Sequence, residues 1–359
     1  MPPSHRAPAA GPNAREKRFE RNSRDAAGAT GRSRRDFLAA GLAGAATSMA
    51  GARTASSQRS ASEAAVDPVV GEPPHRHQGG RSPWPLCLDT ATIRPASLED
   101  KIRIAAEAGY DAIEPWEGEL AEWERSGGSL ADLRKRIDDA GLFVPSVIGL
   151  WNAIPPTREL WLQSLPSSRN RMRMASAIGA QHIQVVPQPA RPWQEFDLKW
   201  AADRYRDLLE IGLGDYAINP AMVFVEFLPG AARIGQAAAI ALDADHPKAK
   251  IIPDVFHMHI GDSGFSGIRH LRGEFLAIFQ FNDAPATPAK AELGDEHRVF
   301  PGDGILPLEQ CLKDLLAIDY RGCVSLELYN PEYWKRDPLE VAKEGREKSL
   351  AVIEKACGS

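Results

Sequence analysis

Cysteine is scarce in this chain: four residues in 359, none arranged as Cys-x-x-Cys. That spacing excludes a zinc knuckle and a dithiol redox motif. No Gly-x-Gly-x-x-Gly follows an early strand, so a dinucleotide fold has no support. No glycine-rich phosphate cradle stands out either, and a phosphorylated substrate is not inferred. The nine histidines are too few and too scattered for a two- or three-metal nuclease centre. Long apolar runs are also missing. The longest weakly apolar stretch, Ala39 to Met49, is short and broken by Gly41 and Gly44, so no stable membrane span is expected.

The first eighty or so residues are rich in Ala, Gly, Ser, Pro and Arg and lack periodicity. Within them Ser33-Arg34-Arg35-Asp36-Phe37-Leu38 precedes that apolar run, and a small-x-small site follows at Ala50-Gly51-Ala52. Basic leader, RR-x-F-L core, mild apolar run and cleavage site together resemble a twin-arginine export signal over residues 1–52. The resemblance implies the twin-arginine (Tat) translocase as a partner during export and a periplasmic or other extracytoplasmic location. Residues 53–83, with His75-Arg76-His77 among them, read as a flexible linker. Residues 1–52 carry nine Lys/Arg and four Asp/Glu, a net of +5, so the remainder moves from −5 to −10. That acidity argues against a nucleic-acid partner.

From Trp84 to the C-terminus short β-like runs alternate with amphipathic helices, the pattern of repeated βα units. Eight strands are predicted: Pro85–Asp89, Ala112–Pro115, Phe143–Val147, His182–Pro187, Met222–Phe227, Lys250–Asp254, Ala277–Asn282 and Cys323–Leu328. The helices carry start and stop signals. Ser97 with Asp100 reads as a capping box, and Gly109 as the stop of the same helix. Leu308, Cys311, Leu312, Leu315 and Leu316 follow a core-facing stripe, and Asp337-Pro338 reads as N-cap and first residue of the last helix. The fold class is α/β, a single (β/α)8 TIM barrel over residues 84–359, with an open doubly wound sheet as the alternative. Cys87 and Cys323 fall in the first and eighth strands, neighbours in a closed barrel. Buried free thiols are expected there, with a disulfide the alternative.

Four of these strand ends carry acidic or amide side chains: Glu226 in MVFVEF, Asp254 in KIIPDVFH, Gln280 in IFQFND and Glu327 in CVSLELY. Parallel strands of a barrel converge at one mouth, so these residues become neighbours there. Three carboxylates and an amide make an oxygen-rich set suited to one divalent cation, Mn2+, Mg2+ or Co2+. Gly261-Asp262-Ser263-Gly264 looks like the surroundings of a serine nucleophile, but it falls in a predicted loop and is read as a polar turn.

AGYDAIEPW, VFVEF, PDVFH, FQFNDAP, HRVFPGDG and RGCVSLELYNPEYW occur in this order. Together they resemble the xylose-isomerase-like superfamily of sugar isomerases and epimerases. The resemblance implies that Glu226, Asp254, Gln280 and Glu327 hold the metal, and that Glu226 and Glu327 also act as acid and base. It implies substrate contacts for His257 and Arg298, while Glu114 and Trp116 line the pocket. Trp151 and Tyr329 are read either as stacking on a sugar face or as packing, and Asp283 not as a ligand but as a residue supporting the ligands or a loop cap. The common pattern has His where Gln280 stands, and some dehydratases of the superfamily resemble this chain in having Gln. The expected reaction is a divalent-metal-dependent isomerisation or epimerisation of a small carbohydrate or polyol through an enediolate. A dehydratase of the inosose or dehydroshikimate type is the rival, and a non-catalytic extracytoplasmic sugar-binding protein a more distant one. A homo-oligomer is compatible with either.

Overall fold

The computed structural model describes residues 77–188, 196–228 and 230–358. The expected export signal at 1–52, and the linker up to residue 76, lie outside the described residues. The eight expected strands are present: β1 Leu86–Asp89, β2 Ala112–Glu114, β3 Ser146–Trp151, β4 His182–Val186, β5 Asn219–Val223, β6 Ile251–Ile252, β7 Phe279–Phe281 and β8 Val324–Leu326. They pair in parallel as β2-β1-β8-β7 and β3-β4-β5-β6. Single bridges, Ala112 to Phe143 and Ile251 to Leu276, join the two halves into a closed TIM barrel. The strands are buried almost throughout, which is why they read as nearly continuous apolar runs.

The outer helices begin and end where the sequence signals stand. In α1 (Leu98–Ala108) the Ser97 side chain accepts from Asp100 N, and Gly109 closes the helix in the left-handed region at φ 86°. Glu117–Arg125 (α2), Leu130–Asp139 (α3), Arg158–Ala177 (α4), Leu198–Tyr216 (α5) and Ile234–Asp243 (α6) follow. Helix α7 is one short piece, Val255–Ile260. In α8 (Leu308–Ala317) the stripe Leu308, Cys311, Leu312 and Leu315 is buried, whereas Leu316 points off it and is 41% exposed. A single turn, α9 (Pro331–Trp334), precedes α10 (Pro338–Cys357), which the Asp337 side chain caps at Leu339 N and Glu340 N. Cys87, Cys311 and Cys323 are buried free thiols, so the disulfide alternative is not realised. Among the described residues no helix is long and apolar enough to cross a membrane.

The folded part begins before Trp84. Residues 77–83, grouped with the linker by composition, are tied to the barrel. Gln78 Nε2 donates to Asp111 Oδ2 at 2.6 Å, and Arg81 pairs with Glu347 and Glu354 of α10. Two strands also stand elsewhere than expected. β3 starts three residues later, because Pro145 interrupts the run and Phe143 meets β2 only through one bridge. β5 ends at Val223, and the chain then turns, with Leu228 N bonded to Val225 O and Ala231 N to Leu228 O.

Candidate active site

The C-terminal ends of the strands form the mouth where residues distant in sequence meet. Glu226 reaches it from the turn after β5 and not from the strand itself. Asp254 follows the two-residue β6 and caps α7, its Oδ1 accepting from Phe256 N at 2.7 Å and His257 N at 3.1 Å. That cap sets His257 one turn away and frees Oδ2 to face the mouth. Gln280 lies within β7 and bridges to Asp254, while Glu327 comes directly after β8. All four are buried.

Arg298 ties these groups together. It is fully buried, and each of its five N–H donors is engaged within the protein. Nη1 donates to Asp254 Oδ2 and to Glu327 Oε2, both at 2.7 Å. Nη2 meets His257 Nε2 at 3.0 Å and donates to Asp295 Oδ1 at 2.9 Å, and Nε donates to the same oxygen at 3.2 Å. On the far side His257 Nδ1 lies 3.0 Å from Glu226 Oε2. Since arginine can only donate, His257 Nε2 must be bare, and the ring proton sits on Nδ1 facing Glu226. One hydrogen-bonded chain therefore runs from Glu327 and Asp254 through Arg298 and His257 to Glu226.

The electrostatics follow from burial and from who faces whom. Burial alone disfavours the Asp254 carboxylate, but Arg298 and His257 beside it hold it well below the usual range. Glu327 goes the other way. Burial pushes it up to about 8 against the pull of Arg298, and the neighbouring Asp254 charge adds to the push. Burial also lowers His257, yet Asp254 and Glu226 outweigh it and the net shift is upward. The contact with the donor-only guanidinium still requires a neutral ring in this arrangement, and the geometry decides the tautomer.

Below and beside this chain sits a second layer of polar side chains. Glu114, at the end of β2, accepts from Gln184 Nε2 at 2.7 Å and from Ser325 Oγ at 2.8 Å. Burial raises its pKa against the pull of those partners and of Ser146 and Gln280. Gln280 is near enough to act on Glu114, although its Nε2 finds no hydrogen bond of normal geometry. Glu114 is thus fully buried at the end of β2 and enclosed by Gln184 and Ser325. Trp116 stands at the rim, its ring 5.5 Å from that of Trp151 and 5.9 Å from that of Tyr329. The Tyr329 hydroxyl donates to Glu327 Oε1 at 2.6 Å, which gives that ring a direct part in the site.

Of the two expectations for Asp283, the structure shows the loop cap. Its carboxylate accepts from Ala284 N (2.8 Å), Leu306 N (2.9 Å), Gly302 N (3.1 Å) and Gly304 N (3.1 Å). It also pairs with Val299 in a backbone bridge, so the loop that presents Arg298 is pinned one residue away. The turn at Gly261–Gly264 likewise has a structural part, with Ser263 Oγ accepting from Ile234 N to cap α6.

Several further residues take part that no motif marks. Asp295, three residues before Arg298, takes two of its donors, and the i, i+3 spacing was the available signal. Gln184 and Ser325 are polar interruptions inside buried apolar strands, a signal that a partner waits in the interior. Asp89 at the end of β1 caps Ala91 N through Oδ1, while its buried Oδ2 has no partner. Burial, then the Glu327 and Glu114 charges, raise its pKa well above the carboxylate range.

Five buried acids, Asp89, Glu114, Glu226, Asp254 and Glu327, face two buried basic groups, Arg298 and His257. Of these, Glu226, Asp254 and Glu327, with the Gln280 amide, bring hard oxygen donors to one mouth, a donor chemistry that suits a hard divalent cation. Among the described residues, however, no three His, Cys, Asp or Glu side chains are gathered into a metal cage. The carboxylates are instead spread along the Arg298–His257 chain.

A sequence profile described as xylose isomerase-like TIM barrel matches residues 102–352. Inosose isomerase of Bacillus velezensis is 25% identical over 274 residues, 75% of this chain and 97% of that protein. A 3-dehydroshikimate dehydratase of Pseudomonas aeruginosa is 26% identical over 263 residues, 72% of this chain, but the chain spans only 40% of that longer protein. Among solved structures, the IolI protein with a bound zinc atom superposes with a TM-score of 0.70 at 23% identity, covering 76% of this chain and 99% of that one. An L-ribulose 3-epimerase gives 0.60 at 17% identity, covering 76% and 96%. The two structural likenesses are of fold.

Proposed function

The chain belongs to the xylose isomerase-like TIM-barrel family, and from that membership we propose that it is a metal-dependent isomerase or epimerase of a small sugar or cyclic polyol ketone. The observation that carries this reading is the single buried chain joining Glu226, His257, Arg298, Asp254 and Glu327 at the barrel mouth. Enolisation needs a base to take a proton from the carbon beside a carbonyl and an acid to return one elsewhere. Glu226 and Glu327, at opposite ends of the chain, suit these two parts. His257 orients Glu226 through its Nδ1 proton, and Tyr329 orients Glu327 through its hydroxyl. The rings of Trp116, Trp151 and Tyr329 wall one side of the mouth, where a polyol ring has apolar C–H faces to offer.

A divalent cation, Mn2+, Mg2+ or Co2+, held by Glu226, Asp254, Glu327 and the Gln280 amide oxygen would supply electrostatic stabilisation of the oxyanion that forms on proton removal. The zinc in the IolI structure and the donor set of this chain support one divalent metal. An amide in place of imidazole favours the harder ions.

The second reading is a dehydratase, favoured by Gln280 and by the likeness to the 3-dehydroshikimate dehydratases. The first step is the same, and hydroxide leaves the adjacent carbon in place of proton return. Incubating metal-loaded protein with inososes, ketohexoses and 3-dehydroshikimate separates the two. Isomer peaks by NMR support the isomerase, and a growing absorbance from a conjugated product with no isomer supports the dehydratase.

We further propose export by the twin-arginine route, which carries folded proteins and so suits a metalloenzyme loaded beforehand. Replacing Arg34 and Arg35 together by Lys should leave unprocessed protein in the cytoplasm, and normal export of that variant would refute the assignment.

A further inference from the structure

The Arg298 guanidinium occupies the ground that a metal ion sharing Asp254 and Glu327 needs. Its Nη1 sits 2.7 Å from one oxygen of each carboxylate, and the side chain is fully buried. The other oxygens are also engaged, Asp254 Oδ1 by two backbone N–H groups and Glu327 Oε1 by Tyr329. Two cations cannot hold the same pair of oxygens at bonding distance without strong repulsion. Asp295 offers the guanidinium a second hold, since Nε and Nη2 both bond to its Oδ1 independently of Nη1.

We propose that Arg298 is a built-in competitor of the metal and sets the affinity of the site. Without the metal, its Nη1 holds Asp254 Oδ2 and Glu327 Oε2 together. Metal entry makes Nη1 release both carboxylates while Asp295 keeps the guanidinium at the mouth. Two N–H donors are thereby turned toward the substrate space, so the residue reaches a substrate oxygen only after the metal has bound. This rests on the reading that Glu226, Asp254, Gln280 and Glu327 hold a divalent cation.

Mn2+ titration of the full chain by calorimetry, with and without Arg298→Gln, tests it. The variant should bind Mn2+ at least tenfold more tightly than wild type and gain more in melting temperature on Mn2+ addition, from a lower metal-free value. Arg298→Lys, which keeps the charge with fewer donors, should fall between. Equal or weaker Mn2+ binding by folded Arg298→Gln would overturn the proposal while leaving the metal reading intact. No Mn2+ binding by either protein at millimolar concentration would remove both. Should the variant not fold, a crystal structure of wild type with Mn2+ decides. Nη1 withdrawn from both carboxylates is the expected result, and Nη1 still bonded to both contradicts it.

Discussion

Replacing Asp283 tests whether the loop that carries Arg298 is held by one buried carboxylate. Four backbone N–H groups converge on it at 2.8 to 3.1 Å. Ala284 and Leu306 are buried, whereas Gly302 is exposed and Gly304 half-buried. In Asp283→Ala the two buried donors lose their acceptor without access to water, at about 1–3 kcal/mol each, and the two at the rim are rehydrated for much less. The sum is about 4 kcal/mol, or roughly 10 °C in melting temperature for a domain of this size. Asp283→Asn behaves differently. Its one oxygen can keep Ala284 and Leu306, while its NH2 confronts the N–H groups of Gly302 and Gly304, so the loss should be about 1–2 kcal/mol. Urea denaturation at one fixed pH measures both. Proteolysis within residues 299–306 should also accelerate in the Ala variant. Equal losses for the two substitutions, or an Ala loss below about 1 kcal/mol, would refute the clamp.

Other substitutions probe the barrel and the chemistry. His182 opens β4 with Nδ1 2.9 Å from Pro145 O, and burial lowers its pKa to about 4. Its neutral form is therefore favoured on folding, and its contribution is complete above the ordinary value near 6.5 and declines as pH falls toward 4. With the residue partly exposed, about 2 kcal/mol is at stake, and His182→Gln should remove that part of the pH dependence of the urea midpoint. Gly345 in α10 has no room for a side chain, because a Cβ would stand 2.4 Å from Leu326 Cδ2 in β8. Gly345→Ala should cost about 1–3 kcal/mol, while Gly235→Ala in α6, with nothing within 4 Å, should gain roughly 0.5–1 kcal/mol; thermal denaturation of both reads the contrast. Glu226→Gln and Glu327→Gln should each reduce turnover on whichever ketone is accepted by at least about 10²–10⁴-fold with the circular-dichroism spectrum unchanged, and residual activity near wild type in either removes that residue from proton transfer.

Much of the barrel was legible because parallel strands buried on both faces leave apolar runs, and because caps such as Ser97, Gly109 and Asp337 are local chemistry. The strand ends were harder to place. Pro145 and the turn after Val223 shift β3 and β5, and the pairing that decides this is contributed by neighbouring strands. At the site, the residue types at Glu226, Asp254, Gln280 and Glu327 stood out at strand ends, and the barrel brings all four to one mouth. How they are partnered was not readable. Arg298 stands in a loop 29 residues before Glu327 and 44 after Asp254, and only the folded barrel brings its Nη1 between them. Glu114 shows the same limit, since a carboxylate at a strand end looks like a pocket residue until Gln184 and Ser325 are seen to enclose it.

Proton exchange beside the carbonyl tests metal-dependent enolisation at this mouth directly. Metal-loaded protein is incubated in D2O with an inosose, a ketohexose or 3-dehydroshikimate, and deuterium entering the carbon beside the carbonyl is followed by NMR. Incorporation into at least one of these ketones, abolished by chelation and by Glu226→Gln, is the expected result. No exchange into any of them with Mn2+ bound, or exchange that survives both treatments, would contradict it.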